Sequence, residues 1–335
     1  MSIEHNGGFV VLRNRFSTNA RHAQGYIDEI ETNYGNVRHI ETSSDWFQDA
    51  ETIAAELGAG DTLVAIGGDS TQNSAANGMM LYGQPDASMF AIPTGNGNDT
   101  VHNLRGHSDQ TLKSRFAHGE LRSVHPIEVA HEGQTRYAVS YTGIGRLTTS
   151  IALVLDSKAH RAKTAGTGPW KHLLLDMQAG AKILLGYENL QEAYEGTHND
   201  QSFAFLEYAI MNGPRVAKLT NADVGMFDPE YLEIIIEKGQ STGMTRRQIA
   251  KLFIQLTLGL PANNYKRSSS DVQRLVLAED TPVHFDADVK KRGGKGYETL
   301  PKETEISIRQ APHGFKALVP KIHPAEHWLP LMVIE

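Results

Sequence analysis

The stretch AIGGDSTQNSAANG, residues 65–78, decides the fold. Ahead of it, DTLVAIGG (61–68) is an apolar run of strand length that breaks into two glycines, and QNSAANGMMLYG (72–83) has the composition of a helix. Strand, glycine turn and helix in that order form one unit of an α/β sheet. An ordinary turn needs one glycine; here Gly67 and Gly68 are followed by an acid, Asp69. Without Cβ atoms, a polyanion can approach the two backbone N–H groups closely. A helix starting near Thr71 would turn its positive end to the same place. A carboxylate beside bare phosphate is unfavourable, so Asp69 makes sense if a cation such as Mg²⁺ intervenes. The plainer reading is that a glycine turn between strand and helix is only a turn.

The next segment repeats the theme. SMFAIPTGNGND (88–99) is a strand running into a second permissive loop that holds Gly95, Gly97, Asn98 and Asp99. In an open parallel sheet, ligands sit beyond the carboxyl ends of strands, where both loops fall. Asn98 is suited to donate to phosphate or ribose, and Asp99 to cap the following helix. Upstream, FVVLRN (9–14), ARHAQGYIDEIETNYG (20–35), NVRHIET (36–42) and DWFQDAETIAAELGAG (45–60) alternate strand-like and helix-like patterns. Residues 1–125 therefore read as an α/β domain with a parallel sheet.

After about Ser123 the texture changes. SVHPIEVA, TRYAVSYTGIG, SFAFLEYAIMNG, YLEIIIEK, DVQRLVLAE, PVHFDAD and EISIRQ read as strands separated by turns. They predict a mostly antiparallel β domain over 126–320, with helical interludes at 170–186 and 245–260. The apolar tail 321–335 is expected to pack on the first domain.

With 335 residues, two domains is the default expectation. The net charge of -7 argues against a broad nucleic-acid-binding face. The absence of cysteine removes disulfides, thiolate metal sites and a thiol nucleophile together. No apolar run reaches the ~18 residues of a membrane span, and the N-terminus lacks a signal-peptide core. These features predict a cytoplasmic protein whose membrane contact is peripheral, at the inner face. The sequence is compatible with a homodimer but offers no readable seam. The fifteen histidines form no tight pair at metal-ligand spacing.

Several motifs together resemble the diacylglycerol kinase catalytic family, which includes bacterial lipid kinases and sphingosine kinases. GGDST-Q-N followed by NG is similar to the family's G-G-D-G-T-x-N-E…N-G, and IPTGNGND to its P-x-G-T-G-N-D. VVLRNRFS (10–17) stands where the family has a strand ending in Asn-Pro. Farther on, YAVSYTGIG, AIMNG, NADVGMFDPEYLEIII and VHFDAD follow the family's later strands in order, over roughly residues 8 to 320.

The resemblance implies that residues 1–125 are an α/β nucleotide-binding domain of the lipid-kinase and NAD-kinase type, followed by a β-sandwich domain, with the active site between them. It also implies transfer of the γ-phosphoryl group of ATP to a lipid hydroxyl, diacylglycerol- or sphingosine-like, with Mg²⁺ and at a membrane surface. Asp69 then lies near phosphates or metal, and Asp286 is the candidate general base, with Asp288 in place of the family's glutamate. Asp228 matches a structural metal position. The nucleotide set is Asn14, Gly67, Gly68, Asp69, Ser70, Thr71, Thr94, Gly95, Asn96, Gly97, Asn98 and Asp99.

The sequence also departs from the pattern. Ser70 replaces a glycine, adding a Cβ that disfavours positive φ. Ser74 replaces the motif's glutamate, and Asn96 a threonine. Asp286-Ala287-Asp288 stands for D-G-E, Asn14-Arg15 for Asn-Pro, and Asp228-Pro229 for Asp-Gly. These changes leave open a nucleotide- or lipid-binding regulator with reduced or no kinase activity. A NAD kinase-like enzyme shares the first loop, but the P-T-G-S-T-type loop of its second domain is missing. The segment VKKRGGKG (289–296) is basic and glycine-rich, suited to a solvated hairpin tip or to an anionic surface.

Overall fold

The computed structural model describes residues 7–15, 17, 20–43, 45–82, 86–95, 98–104, 119–145, 194–213, 227, 231–237, 265–268, 272–286 and 298–320, with five isolated positions between 163 and 179. The helical interludes expected at 170–186 and 245–260, the basic segment 289–296 and the tail 321–335 lie outside these residues, apart from those isolated positions.

The first half alternates strand and helix: β1 (Phe9–Arg13), α1 (Ala20–Tyr34), β2 (Val37–Glu41), α2 (Trp46–Glu56), β3 (Thr62–Gly67), α3 (Asp69–Tyr82), β4 (Ser88–Pro93) and α4 (Asp99–Asn103). Strands β2, β1, β3 and β4 lie side by side and parallel. Every residue of β3 is buried, as a central strand covered on both faces requires. Alternation along the strands divides the core in two. Val10, Leu12, Leu63, Ala65, Met89 and Ala91 face Ile53 of α2 and Met79 of α3. Phe9, Val11, Val64, Ile66, Phe90 and Ile92 face Ala23, Ile27 and Ile30 of α1.

Two more strands complete this sheet, β5 (Glu120–Val124) and β17 (Phe315–Val319). β17 pairs in parallel with β4 and antiparallel with β5. The sequence reading had placed 315–319 within the second unit; instead the chain returns to the first sheet. The physical reason is double-sided burial: Phe315, Ala317 and Val319 fill the α2/α3 side of the core, and Leu318 the α1 side.

The chain leaves the first sheet at His125 and Pro126. The second half is an antiparallel network of 11 strands among the described residues. These are β6 (Ile127–His131), β7 (Gln134–Ala138), β8 (Tyr141–Gly145), β9 (Tyr194–His198), β10 (Gln201–Met211), β11 (Tyr231–Glu237), β12 (Tyr265–Ser268), β13 (Gln273–Leu277), β14 (Thr281–Phe285), β15 (Glu298–Leu300) and β16 (Glu305–Gln310). The long β10 changes partners along its length, pairing first with β9 and then with β8 and β11. Residues of β6, β8, β10, β13, β14 and β16 meet in one core that includes Val129, Ile144, Phe205, Tyr208, Leu275, Val283 and Ile308. No helix among the described residues is long and apolar enough to cross a membrane.

Candidate active site

The carboxyl ends of β3 and β4 bring the two glycine loops into contact. Thr94 N–H donates to Gly67 O at 2.9 Å. A Cβ on Gly95 would overlap the Cα of Gly68, and one on Gly68 would lie 3.2 Å from the Cα of Gly95. A Cβ on Gly67 would run into the side chain of Thr71. Gly68 and Gly95 are thus required by close approach of backbone to backbone, and Gly67 by the Thr71 side chain, whatever else the loops hold.

Helix α3 begins at Asp69, two residues earlier than expected, with Thr71 and Gln72 N–H donating to Gly68 O. Ser70 therefore sits in the first helical turn, and it is not among the residues with positive φ. The strain expected from replacing a glycine there does not arise. The rim of the loops is polar. Asn14 Nδ2 donates to Thr71 Oγ1 at 3.3 Å, and the hydroxyls of Ser17 and Thr94 share a hydrogen bond of 2.9 Å.

Asp69 is buried, and its Oδ1 accepts from Thr100 N–H at 2.8 Å. Burial raises its pKa, while backbone N–H groups of Thr100, Asp99 and Asn98 and the Thr100 hydroxyl pull it down. The carboxylate therefore caps α4, tying the second loop to helix α3. The cap had been expected from Asp99. Asn98, at φ +56, instead folds back on Gly95, accepting from its N–H at 3.0 Å and donating to its O at 2.9 Å. Asp99 is buried beside it.

Asp286 follows β14 at φ +46 and is 0% exposed. Four N–H donors converge on its carboxylate. Oδ2 accepts from Asn73 Nδ2 at 2.6 Å and Val139 N at 2.7 Å; Oδ1 accepts from Ser140 N at 2.9 Å and Tyr141 N at 2.8 Å. Burial raises its pKa to about 7; the backbone N–H groups of Tyr141, Val139 and Ser140 oppose this, and the charge of Asp69 adds to it. A carboxylate offers about four lone-pair sites, so an incoming proton must displace one donor. Asn73 is the one side-chain donor of the four; the other three are backbone N–H groups.

Asp69 and Asn73 are four residues apart on α3, hence on one face, so the helix brings the acid of the first loop within a turn of the residue that holds Asp286. A second link crosses the halves nearby. The Arg136 guanidinium lies 4.6 Å from the Trp46 ring of α2 and 4.1 Å from the Phe285 ring, with Glu298 Oε2 at 3.6 Å. Thr100 and Ser140 share a hydroxyl hydrogen bond of 3.1 Å. Ser74, the replacement for an expected glutamate, faces α2 rather than this cleft. It lies against buried Asp49, whose raised pKa reflects burial opposed by Ser43 and Ser74.

Of the sequence-derived site residues, Asn96, Gly97, Asp228 and Asp288 lie outside the described residues. Among the described residues no group of three or more His, Asp or Glu side chains gathers around one point. The residues that sequence reading missed are Asn73, Asn77, Thr100, Tyr137 and Ser140. The signal for two of them was in the first motif itself, whose asparagines Asn73 and Asn77 stand four apart in α3.

Residues 8–131 match the model of the diacylglycerol kinase catalytic domain. No curated protein matches the chain. Among solved structures, a crystal structure of a candidate diacylglycerol kinase from Bacillus anthracis str. Sterne aligns with TM-score 0.62 and 15% identity, covering 95% of this chain and 98% of the other. A second structure with a like description, from the same organism, gives 0.63 at 14% identity over 95% and 98%. A third, described as a diacylglycerol kinase, also from that organism, gives 0.59 at 14% over the same shares. At this identity the likeness speaks to the fold.

Proposed function

We propose, from the match of residues 8–131 to the model of the diacylglycerol kinase catalytic domain, that this protein transfers the γ-phosphoryl group of ATP to a lipid hydroxyl. The observation that carries the reading is the convergence of two touching glycine loops, Asp69 at their junction, and Asp286 brought in by the other half. Phosphoryl transfer needs positioning and charge neutralisation more than covalent help, and this arrangement supplies the means for both.

In this reading the backbone amides of Gly68, Asp69 and Ser70, where α3 begins, are assigned to the phosphates together with Asn96 and Gly97 of the second loop, the amides of Thr71, Thr94 and Gly95 being held within the loops, and Asn14 borders the nucleotide. The oxygen-rich set around Asp69 and Asp99 suits Mg²⁺, which favours one or two carboxylates plus substrate phosphates. The bound ion would neutralise charge on the phosphates. Asp228 is assigned to a separate structural ion. The acceptor hydroxyl gives its proton to Asp286 as one of the four N–H donors gives way, with Asp288 two residues further along the chain. General-base help of this kind is worth ~10²–10⁴-fold in rate. The β half offers the apolar environment for a lipid drawn from a membrane surface, diacylglycerol- or sphingosine-like, and the protein works in the cytoplasm with transient contact at the inner membrane face.

A second reading has its own support. Four donors on Asp286 describe a structural anchor as well as they describe a poised base, which favours a nucleotide- or lipid-binding regulator without turnover. Incubation with γ-labelled ATP, Mg²⁺ and mixed vesicles containing diacylglycerol and long-chain amino alcohols separates the two. Label in the extracted lipid supports the kinase. Nucleotide binding with no labelled lipid supports the regulator.

A further inference from the structure

Helix α3 touches both halves of the molecule through a short ladder of amides. Asn73 and Asn77 are buried, four residues apart on one face. Asn77 reads both sides of the peptide at Tyr137, the last but one residue of β7. Its Oδ1 accepts from Tyr137 N–H at 2.9 Å and its Nδ2 donates to Tyr137 O at 2.8 Å. Asn73 Nδ2 donates to the same Tyr137 O at 2.8 Å and to Asp286 Oδ2 at 2.6 Å. Asn77 Nδ2 also lies 3.0 Å from Asn73 Oδ1, which fixes the amide of Asn73 with its nitrogen toward Asp286.

Each feature of this ladder has one geometric consequence. The Asp69 turn begins the same helix, and an α-helix advances ~1.5 Å per residue, so Asp69 and Asn73 are held ~6 Å apart along a stiff axis. Beyond Asn73, the segment Val139–Tyr141 closes on Asp286 with three N–H groups, and Tyr137 just before it is clamped by Asn77. The separation between the phosphate loops and the acceptor-side acid is therefore set by α3 and read out by two asparagines.

We propose that Asn73 and Asn77 are positioning residues for the transfer reaction, holding the Tyr137–Tyr141 segment between β7 and β8, and with it Asp286, in register with Asp69. The inference rests on the kinase reading and adds to it residues that touch neither nucleotide nor lipid. A misplacement of about 1 Å costs ~10²-fold in such reactions, because productive geometry is narrow. The ladder thus acts on turnover rather than on nucleotide affinity, since the glycine loops and the Asp69 cap do not depend on Asn77.

The test compares wild type with Asn77→Ala and the milder Asn77→Ser. Four quantities are measured: kcat and KM for ATP with mixed lipid vesicles, the Kd for ATP with Mg²⁺ by calorimetry, and amide exchange at Tyr137. Asn77→Ala is expected to lower kcat by 10- to 100-fold, with KM and Kd within two-fold of wild type and faster exchange at Tyr137. A folded variant with wild-type kcat overturns the proposal, as does loss of kcat matched by equal loss of nucleotide affinity. If Asn77→Ala does not fold, Asn77→Ser is judged by the same criteria. Failure of the kinase reading shows itself differently, as a wild type that labels no lipid, and that result overturns both.

Discussion

Asp286 is the point at which two physical effects compete, and replacing it by asparagine decides between them. Burial raises its pKa from 3.8 to about 7. Between those values the folded chain keeps a proton that the unfolded chain has released, so rising pH favours unfolding. The contribution is fully present below about pH 4 and is lost as pH passes through about 7. At roughly 1.4 kcal/mol per pH unit, the loss is about 4 kcal/mol in all. Asp286→Asn removes the titration and tolerates the φ of +46. It leaves two of the four donors without an acceptor whichever way the amide turns, a pH-independent cost of about 1–3 kcal/mol each. Urea unfolding of both proteins at intervals from pH 3 to 8 isolates the difference, because the other titrating groups are shared. The stability of wild type relative to the variant should fall steadily to about pH 7 and then level off. A relative stability that rises from pH 3 to 5 and is flat thereafter would refute the reasoning. In that case the N–H donors outweigh burial, and Asp286 is an ionised anchor unable to take a proton near neutrality.

Two further substitutions test particular contacts. Gly95→Ala would place a Cβ against Gly68 and 3.1 Å from Asn98 Oδ1, so it should cost about 1–3 kcal/mol and weaken ATP binding at least about 10-fold by calorimetry. Gly25→Ala is the control: its Cβ meets nothing within 4 Å, and in α1 it should add about 0.5–1 kcal/mol. Glu233 is fully buried on β11, and among the described residues neither carboxylate oxygen makes a hydrogen bond of ordinary geometry; it lies beside Tyr208, whose pKa is pushed well up by burial and then by the charge of Glu233. Glu233→Leu should therefore raise stability by about 1–3 kcal/mol, read as a higher Tm; a lower Tm would mean that the carboxylate has a partner in solution.

Local patterns in the sequence located the parallel strands and both glycine loops. A buried strand ending in glycine is written within a few residues, and DTLVAIGG and SMFAIPTG are of that kind. The helix after the first loop was also legible, but its start at Asp69 was not, because the carboxylate's partner is the N-terminus of α4, 31 residues away. Distance in sequence hid the amide ladder for the same reason. Asn73 and Asn77 stand in the first motif, but what they hold is invisible until β7 is laid against them, 60 residues later. The return strand Phe315–Val319 is apolar and strand-like, yet nothing local says which sheet it joins. The substitution of Ser74 for an expected acid looked like a loss to the site. Helical phase turns it toward Asp49 instead, which a linear motif does not express.

The central claim is that the touching glycine loops at the ends of β3 and β4 hold the phosphates of a nucleotide. Hydrogen exchange with and without ATP and Mg²⁺ tests it directly. The account predicts slower exchange in peptides covering both 67–72 and 94–100, with Asp69→Asn reducing the effect in each. Saturating nucleotide that binds while leaving both peptides unchanged would contradict it.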